Sequence, residues 1–147
     1  MRSTLAFSLC AALLLASPRA QAASLAGHWT VTTEGARGTT DDGSQWTLGA
    51  ITGALTLAQK GNDITGSWKG QMAAPWALTG EFNDREFVLT TEWRDIPATR
   101  DGVQATAQAR WIFRGTVSGD TASGTMMLEL ENAGGDRSQS FKAKRAP

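Results

Sequence analysis

Few residues in this chain carry the chemistry of a catalyst. There is one histidine, His28, and one cysteine, Cys10, among 147 residues. A Ser-His or Cys-His nucleophile needs a base oriented by a third group, and a transition-metal site needs several imidazoles or thiolates. A lone His28, in the opposite register to Trp29, reads as a surface residue. Asp41-Asp42-Gly43 and Gly61-Asn62-Asp63 gather oxygens but lack the spaced ligands of a calcium loop, and turn chemistry explains them better. Glu129 and Glu131 share a strand face, but it is the outer, solvated one. The sequence therefore assigns no catalytic residue, no metal site and no cofactor. What remains is aromatic: six Trp and five Phe, with no Tyr. Indoles bury large apolar areas and can line a site for a flat or apolar molecule.

The N-terminus reads as an export signal. Arg2 supplies the charged region, Leu5 to Ala16 the apolar core, and Ala20-Gln21-Ala22 the small-residue cleavage pattern. The expected organisation is a signal peptide over 1–22 and a single domain over 23–147, periplasmic or secreted. Loss of Arg2 and Arg19 leaves twelve basic against fourteen acidic residues, a net charge of −2. That balance gives no electrostatic basis for nucleic acid. No later run approaches the ~20 apolar residues of a spanning helix, so no membrane association is expected after cleavage. Cys10 leaves with the signal, so the mature chain has no disulfide and must be held by its core.

Positioning falls to strands, because apolar residues alternate with period two and no stretch shows a sustained helical stripe. Eight are expected. The first holds Trp29 and Val31, and the rest lie near 51–59, 63–70, 76–82, 86–94, 105–117, 121–131 and 137–145. Their apolar registers include Leu55, Leu57, Ile64, Trp68, Trp76, Leu78, Phe82, Phe87, Leu89, Trp93, Trp111, Phe113, Val117, Met126, Leu128 and Phe141. Lys60-Gly61, Asp84-Arg85 and Gly119-Asp120 mark tight turns. Across them Leu57 should face Ile64, Phe82 should face Phe87, and Val117 should face Ala122. The longer connections, 34–50, 71–75, 95–104 and 132–136, then gather at the opposite end. A meander with one apolar face resolves its edges by closing, so the fold class expected is all-β, an eight-stranded antiparallel up-and-down β-barrel. A two-sheet sandwich shares these signals and is the alternative. The inward glycines Gly66, Gly80, Gly115 and Gly124 suit tight coiling and leave room for large side chains.

Two resemblances follow from this pattern. Gly27-His28-Trp29 on the first strand, with Arg145 on the inward register of the last, resembles the lipocalin-like, or calycin, barrels. The resemblance implies that Arg145 covers Trp29 at the closed end, with Lys144 in that place if the register slips. Ser24-Leu25-Ala26-Gly27-His28-Trp29-Thr30 also looks like the start of the barrel in bacterial secreted metalloprotease inhibitors, which block a protease with an N-terminal trunk. About four residues precede Gly27 after the expected cleavage, and that family's disulfide has no counterpart here.

On this reading Gly27, Trp29 and Arg145 form the barrel floor, while Trp68, Trp76, Trp93 and Trp111 ring the open mouth. Met126 and Leu128 line it, and Trp46, in the longest connection, is expected to fold over it as a lid. Arg94, Arg100 and Lys69 stand near the rim, where a cation can orient an anionic group. The function expected is non-enzymatic binding of a small apolar or aromatic ligand. The alternatives are that the indoles plug the barrel, and that the protein binds another protein, such as a secreted hydrolase, through its loops or N-terminus.

Overall fold

The computed structural model describes residues 23–131 and 137–147. The expected signal peptide and the 132–136 connection lie outside the described residues. Among the described residues eleven strands run in chain order: β1 (Gly27–Thr33), β2 (Ala36–Thr39), β3 (Gln45–Leu48), β4 (Thr52–Lys60), β5 (Asp63–Lys69), β6 (Trp76–Asn83), β7 (Glu86–Thr91), β8 (Arg94–Arg100), β9 (Val103–Ser118), β10 (Thr121–Leu130) and β11 (Arg137–Arg145). Eight of them, β1, β4, β5, β6, β7, β9, β10 and β11, pair antiparallel in up-and-down order. The sheet closes where β1 meets β11, from Trp29 opposite Arg145 to Thr33 opposite Phe141. The fold is therefore a closed eight-stranded barrel rather than a sandwich.

Closure follows from the alternation. On β1 Trp29, Val31 and Thr33 are buried while His28, Thr30 and Thr32 are exposed. The same rhythm places Leu55 and Leu57, Trp76, Leu78 and Phe82, and Phe141 and Ala143 inside. An apolar face this continuous has nowhere to go but against itself.

Three hairpins sit at one end, each with a positive φ at the first central residue: 62° at Gly61, 58° at Asp84 and 60° at Gly119. That is the backbone a II′-type hairpin turn requires. Phe82 faces Phe87 and Val117 faces Ala122, as expected. The β4–β5 register is shifted by two residues, so that Leu57 faces Gly66 and Ile64 faces Gln59. The turn centres on Gly61-Asn62 because Gly61 supplies the left-handed φ. A shift of two preserves which face each side chain takes.

Two of the expected loops contain strands. β2 and β3 form a separate hairpin within 34–50. Trp46 there lies against Gly38, where a Cβ would come within 2.6 Å of the indole. In the other, β8 pairs with the first half of β9, Arg94 opposite Ala109 to Arg100 opposite Val103. Asp101-Gly102 turns this hairpin with φ of 52° and 76°, the paired left-handed conformation of an I′ turn. β9 is 16 residues long. Its later part pairs with β7 and its beginning with β8, so that β8 and the start of β9 form a two-stranded arm at the long-loop end.

The inward glycines serve coiling. A Cβ at Gly66 would come within 2.0 Å of the Thr56 carbonyl oxygen, and one at Gly124 within 2.0 Å of that of Arg114. The space they free is taken by the neighbouring strand's backbone more than by large side chains. Aromatic rings then fill the barrel axis. Phe113 meets Trp68 edge-on at 5.2 Å between centroids and Phe141 at 5.8 Å, and Phe141 meets Phe87 at 6.3 Å. Such offset and edge-on contacts are favoured by the ring quadrupoles.

Candidate functional site

The hairpin end is shut. Trp29 is buried and its indole N–H donates to the Leu25 carbonyl at 2.9 Å. The Arg145 guanidinium lies over the same indole, 4.3 Å from its centre. It also donates to the carbonyls of Ser24, at 2.7 Å, and of Ala26, and meets Asp120 at 3.2 Å. Gly27 holds φ at 123° beside this guanidinium, with Arg145 Nη1 3.2 Å from where its Cβ would be. Ser24–Ala26 are thereby drawn across the floor. The Leu25 side chain enters the core, and its N–H donates to Gln59 Oε1 at 2.8 Å. A stacked guanidinium can seal the floor because its edges remain hydrogen-bonded while its face covers the ring.

The opposite end is a shallow cup of about 360 Å³. Trp68 and Trp76 form its base, Trp111 and Leu128 one wall, and Ile51, Met72 and Ile96 the rim. The ends of β5, β6 and β10 place Trp68, Trp76 and Leu128 there, the middle of β9 places Trp111, the 70–75 connection supplies Met72, and the arm brings in Ile96 and Pro97. The lining is almost wholly apolar. Its size is at the lower end of the ~300–1,000 Å³ usual for small-molecule sites. Trp68 and Trp76 are only 1% and 2% exposed, so they belong to the core and offer the cup little more than their edges. The indoles thus plug the lower mouth and leave the cup above it. Two wider depressions, about 770 and 860 Å³, run along β10, β11 and β1, the first lined by the inward Thr33, Gln139 and Phe141 as well as by outward residues. They share Thr32, Ser123 and Lys142 and are open, solvated strand surface.

Three of the residues expected at the mouth lie elsewhere. Trp93 is 40% exposed and stacks against Arg110, whose guanidinium is 4.5 Å from the ring centre. β7 ends at Thr91 and β8 begins at Arg94. In that break Trp93 swings to the outer side, where Arg110 also pairs with Glu129 at 2.6 Å. Thr91 bridges the break by accepting the Trp111 N–H at 2.8 Å and donating to the Glu92 carbonyl at 3.1 Å. Trp46 is occupied by its own hairpin, which lies near β11 and contributes nothing to the cup. Met126 is fully buried beneath the cup. Arg94 covers Trp76 from 4.8 Å and donates to the carbonyls of Ala74 and Pro75 at 3.0 and 3.1 Å. Its charge holds the 70–75 connection in place instead of standing free at the rim. The Arg100 side chain is outside what is described.

The reading by strands passed over Arg137 and Gln139. Extending the inward alternation back from Phe141 places both inside the barrel, so period two could have found them. Gln139 is buried, and among the described residues neither its Oε1 nor its Nε2 has a hydrogen-bond partner, nor does the buried Nη1 of Arg137.

The described residues contain no group of three or more His, Cys, Asp or Glu placed to hold a metal ion. His28 is exposed, with Nδ1 3.3 Å from Thr56 Oγ1. Together, floor and cup define the class of molecule: a closed eight-stranded barrel, sealed at its hairpin end and concave at the other. No protein-family model matches the chain, and no curated protein matches it.

Proposed function

We propose that the protein is an exported, non-enzymatic barrel of the calycin type that holds a small apolar or aromatic ligand at its long-loop end. The apolar cup between Trp68, Trp76, Trp111, Leu128 and Met72 carries this reading. A concave apolar surface that the fold leaves uncovered favours a ligand that removes it from water. The test is a titration of tryptophan fluorescence with apolar compounds, alone and in a Met72→Asp variant. Saturable quenching that the variant abolishes, with the melting temperature little changed, supports the site. Absence of any saturable signal across the compounds refutes it.

A second reading, a protein-binding module, is favoured by the arm. Among the described residues β8 pairs only with β9, leaving one edge free, and Val103 at the arm's tip is 66% exposed. A free strand edge can take a further strand from a partner. The N-terminal route of the metalloprotease inhibitors has less support, since Ser24–Ala26 are tied to the floor by Arg145 and Gln59.

A further inference from the structure

The outer wall of the barrel is unevenly charged. Strand pairing sets the outward residues of β1, β11, β10 and β9 in rows. One row runs Thr30, Lys144, Thr121, Ser118, and the next Thr32, Lys142, Ser123, Thr116. A third holds Ser140, Thr125 and Arg114. All of these residues are exposed. The rows present three cations and eight hydroxyls, with no acid among them. Among the described residues none of the three cations forms an ion pair. Acids border the rows: Glu86 faces Thr116 from β7, Glu34 lines one end of the first depression, and Asp120 is turned to Arg145. Over residues 23–147 fourteen acids stand against twelve bases, so this wall runs against the charge of the chain. It is also hollowed. The two depressions along β10, β11 and β1 overlap at Thr32, Ser123 and Lys142, and extend from there towards Ser138 and towards Ala146. They form one trough of roughly 25 Å, at ~3.3 Å per strand residue.

We propose that this wall is a second binding surface, independent of the cup, and that its partner is a linear acidic polysaccharide. Charge complementarity selects a polyanion: Lys142, Lys144 and Arg114 gather positive potential in a concave surface that holds no acid to oppose it. The length of the trough selects a chain over a single small anion. The hydroxyls select sugar. Each Thr or Ser hydroxyl both donates and accepts, as the hydroxyls on every ring of a glycan do, whereas a nucleic acid backbone offers acceptors alone. Three cations on a chain of net negative charge are also few for nucleic acid, whose affinity is built from many phosphate contacts. A lipid bilayer fits less well, because the rows carry no large apolar side chain to enter it. The acid groups of the polysaccharide meet Lys142, Lys144 and Arg114, and its ring hydroxyls meet Thr32, Ser123 and Thr125.

The test is an NMR titration of the exported protein with hexagalacturonate at low salt. Maltohexaose serves as the neutral glycan, hexathymidylate as the anion without sugar hydroxyl arrays, and phosphatidylglycerol vesicles as the lipid surface, read by co-sedimentation. Hexagalacturonate should give saturable amide shifts confined to the outward rows of β1, β9, β10 and β11, weakening as salt screens the charges. Maltohexaose should give none. Lys142→Gln and Lys144→Gln should each weaken binding about fivefold, as loss of one cation facing an anionic surface does. The double variant Thr32→Val with Ser123→Ala should weaken hexagalacturonate severalfold further and leave hexathymidylate unchanged. All four side chains are exposed, so the melting temperature should stay at the parent value and a lost signal cannot be mistaken for unfolding. No saturable shift with hexagalacturonate overturns the proposal, as do shifts that map away from these rows. Binding of hexathymidylate or of the vesicles as tight as that of hexagalacturonate also overturns it, since the wall would then recognise charge without sugar.

Discussion

Replacing Arg145 with Met tests how the barrel is shut. Met retains an aliphatic stem near Trp29 but removes every hydrogen bond of the guanidinium. The Asp120 ion pair contributes almost nothing, because that carboxylate's side chain is 79% exposed and exposed pairs are worth well under ~1 kcal/mol. The stack over a buried indole contributes about 1 kcal/mol. The bonds to the Ser24 and Ala26 carbonyls add roughly 1–2 kcal/mol, as water can replace part of what is lost at the exposed Ser24. The expected loss is about 2–3 kcal/mol. For a domain of this size it should lower the melting temperature by roughly 6–12 °C. Denaturant unfolding followed by near-ultraviolet circular dichroism would read it, since Trp29 sits in the affected core. Amide exchange gives a local check: Leu25 N–H, now held by Gln59 Oε1, should lose protection once the segment is released. Arg145→Lys should fall between the two, because an ammonium cannot stack and reach both carbonyls together. A Met variant that melts within about 1 °C of the parent, with Leu25 still protected, would refute the guanidinium as the closure.

Other outcomes follow from the same packing. Trp29→Ala and Trp76→Ala should both cost roughly 3–5 kcal/mol in equilibrium unfolding, since Trp76 is as deeply buried as Trp29; a near-neutral Trp76 variant would place that indole outside the core. Gly124→Val should prevent folding or lower the melting temperature sharply, because even its Cβ would press on the Arg114 carbonyl; a wild-type melt would contradict the close approach of β9 and β10. Asp42 is held at a pKa of about 2, below its ordinary 3.8, first by the Thr40 hydroxyl and then by the Ser44 N–H. The depressed value means that the β2–β3 turn gains from the ionised form at pH above about 4 and loses that gain as pH falls towards 2. Titration of the Asp42 carboxyl by NMR checks this, and a midpoint near 4 would refute it. Finally, exported protein should begin at Ala23, which intact mass would establish.

The alternation along each strand was enough to determine the all-β class, the eight barrel strands and their meander order, because a side chain's face depends only on local parity. Phe82 opposite Phe87 and Val117 opposite Ala122 were legible for the same reason. Asp101-Gly102 was a readable hairpin signal as well, yet the run around it lacked strong alternation and passed for a loop. The inward places of Arg137 and Gln139 were also written in the register. Their polarity hid them, since a pattern search follows apolar residues. Other features needed the closed structure. Trp93 has the parity of an inward residue, but the break between β7 and β8 turns it outward to Arg110. Arg94 has the look of a free rim cation, and only folding brings Trp76, Ala74 and Pro75 under it. Whether the tryptophans plug the barrel or line a cavity was likewise a question of volume. Volume depends on how eight strands coil together and how far each ring reaches across the axis, which residue spacing along one strand does not encode.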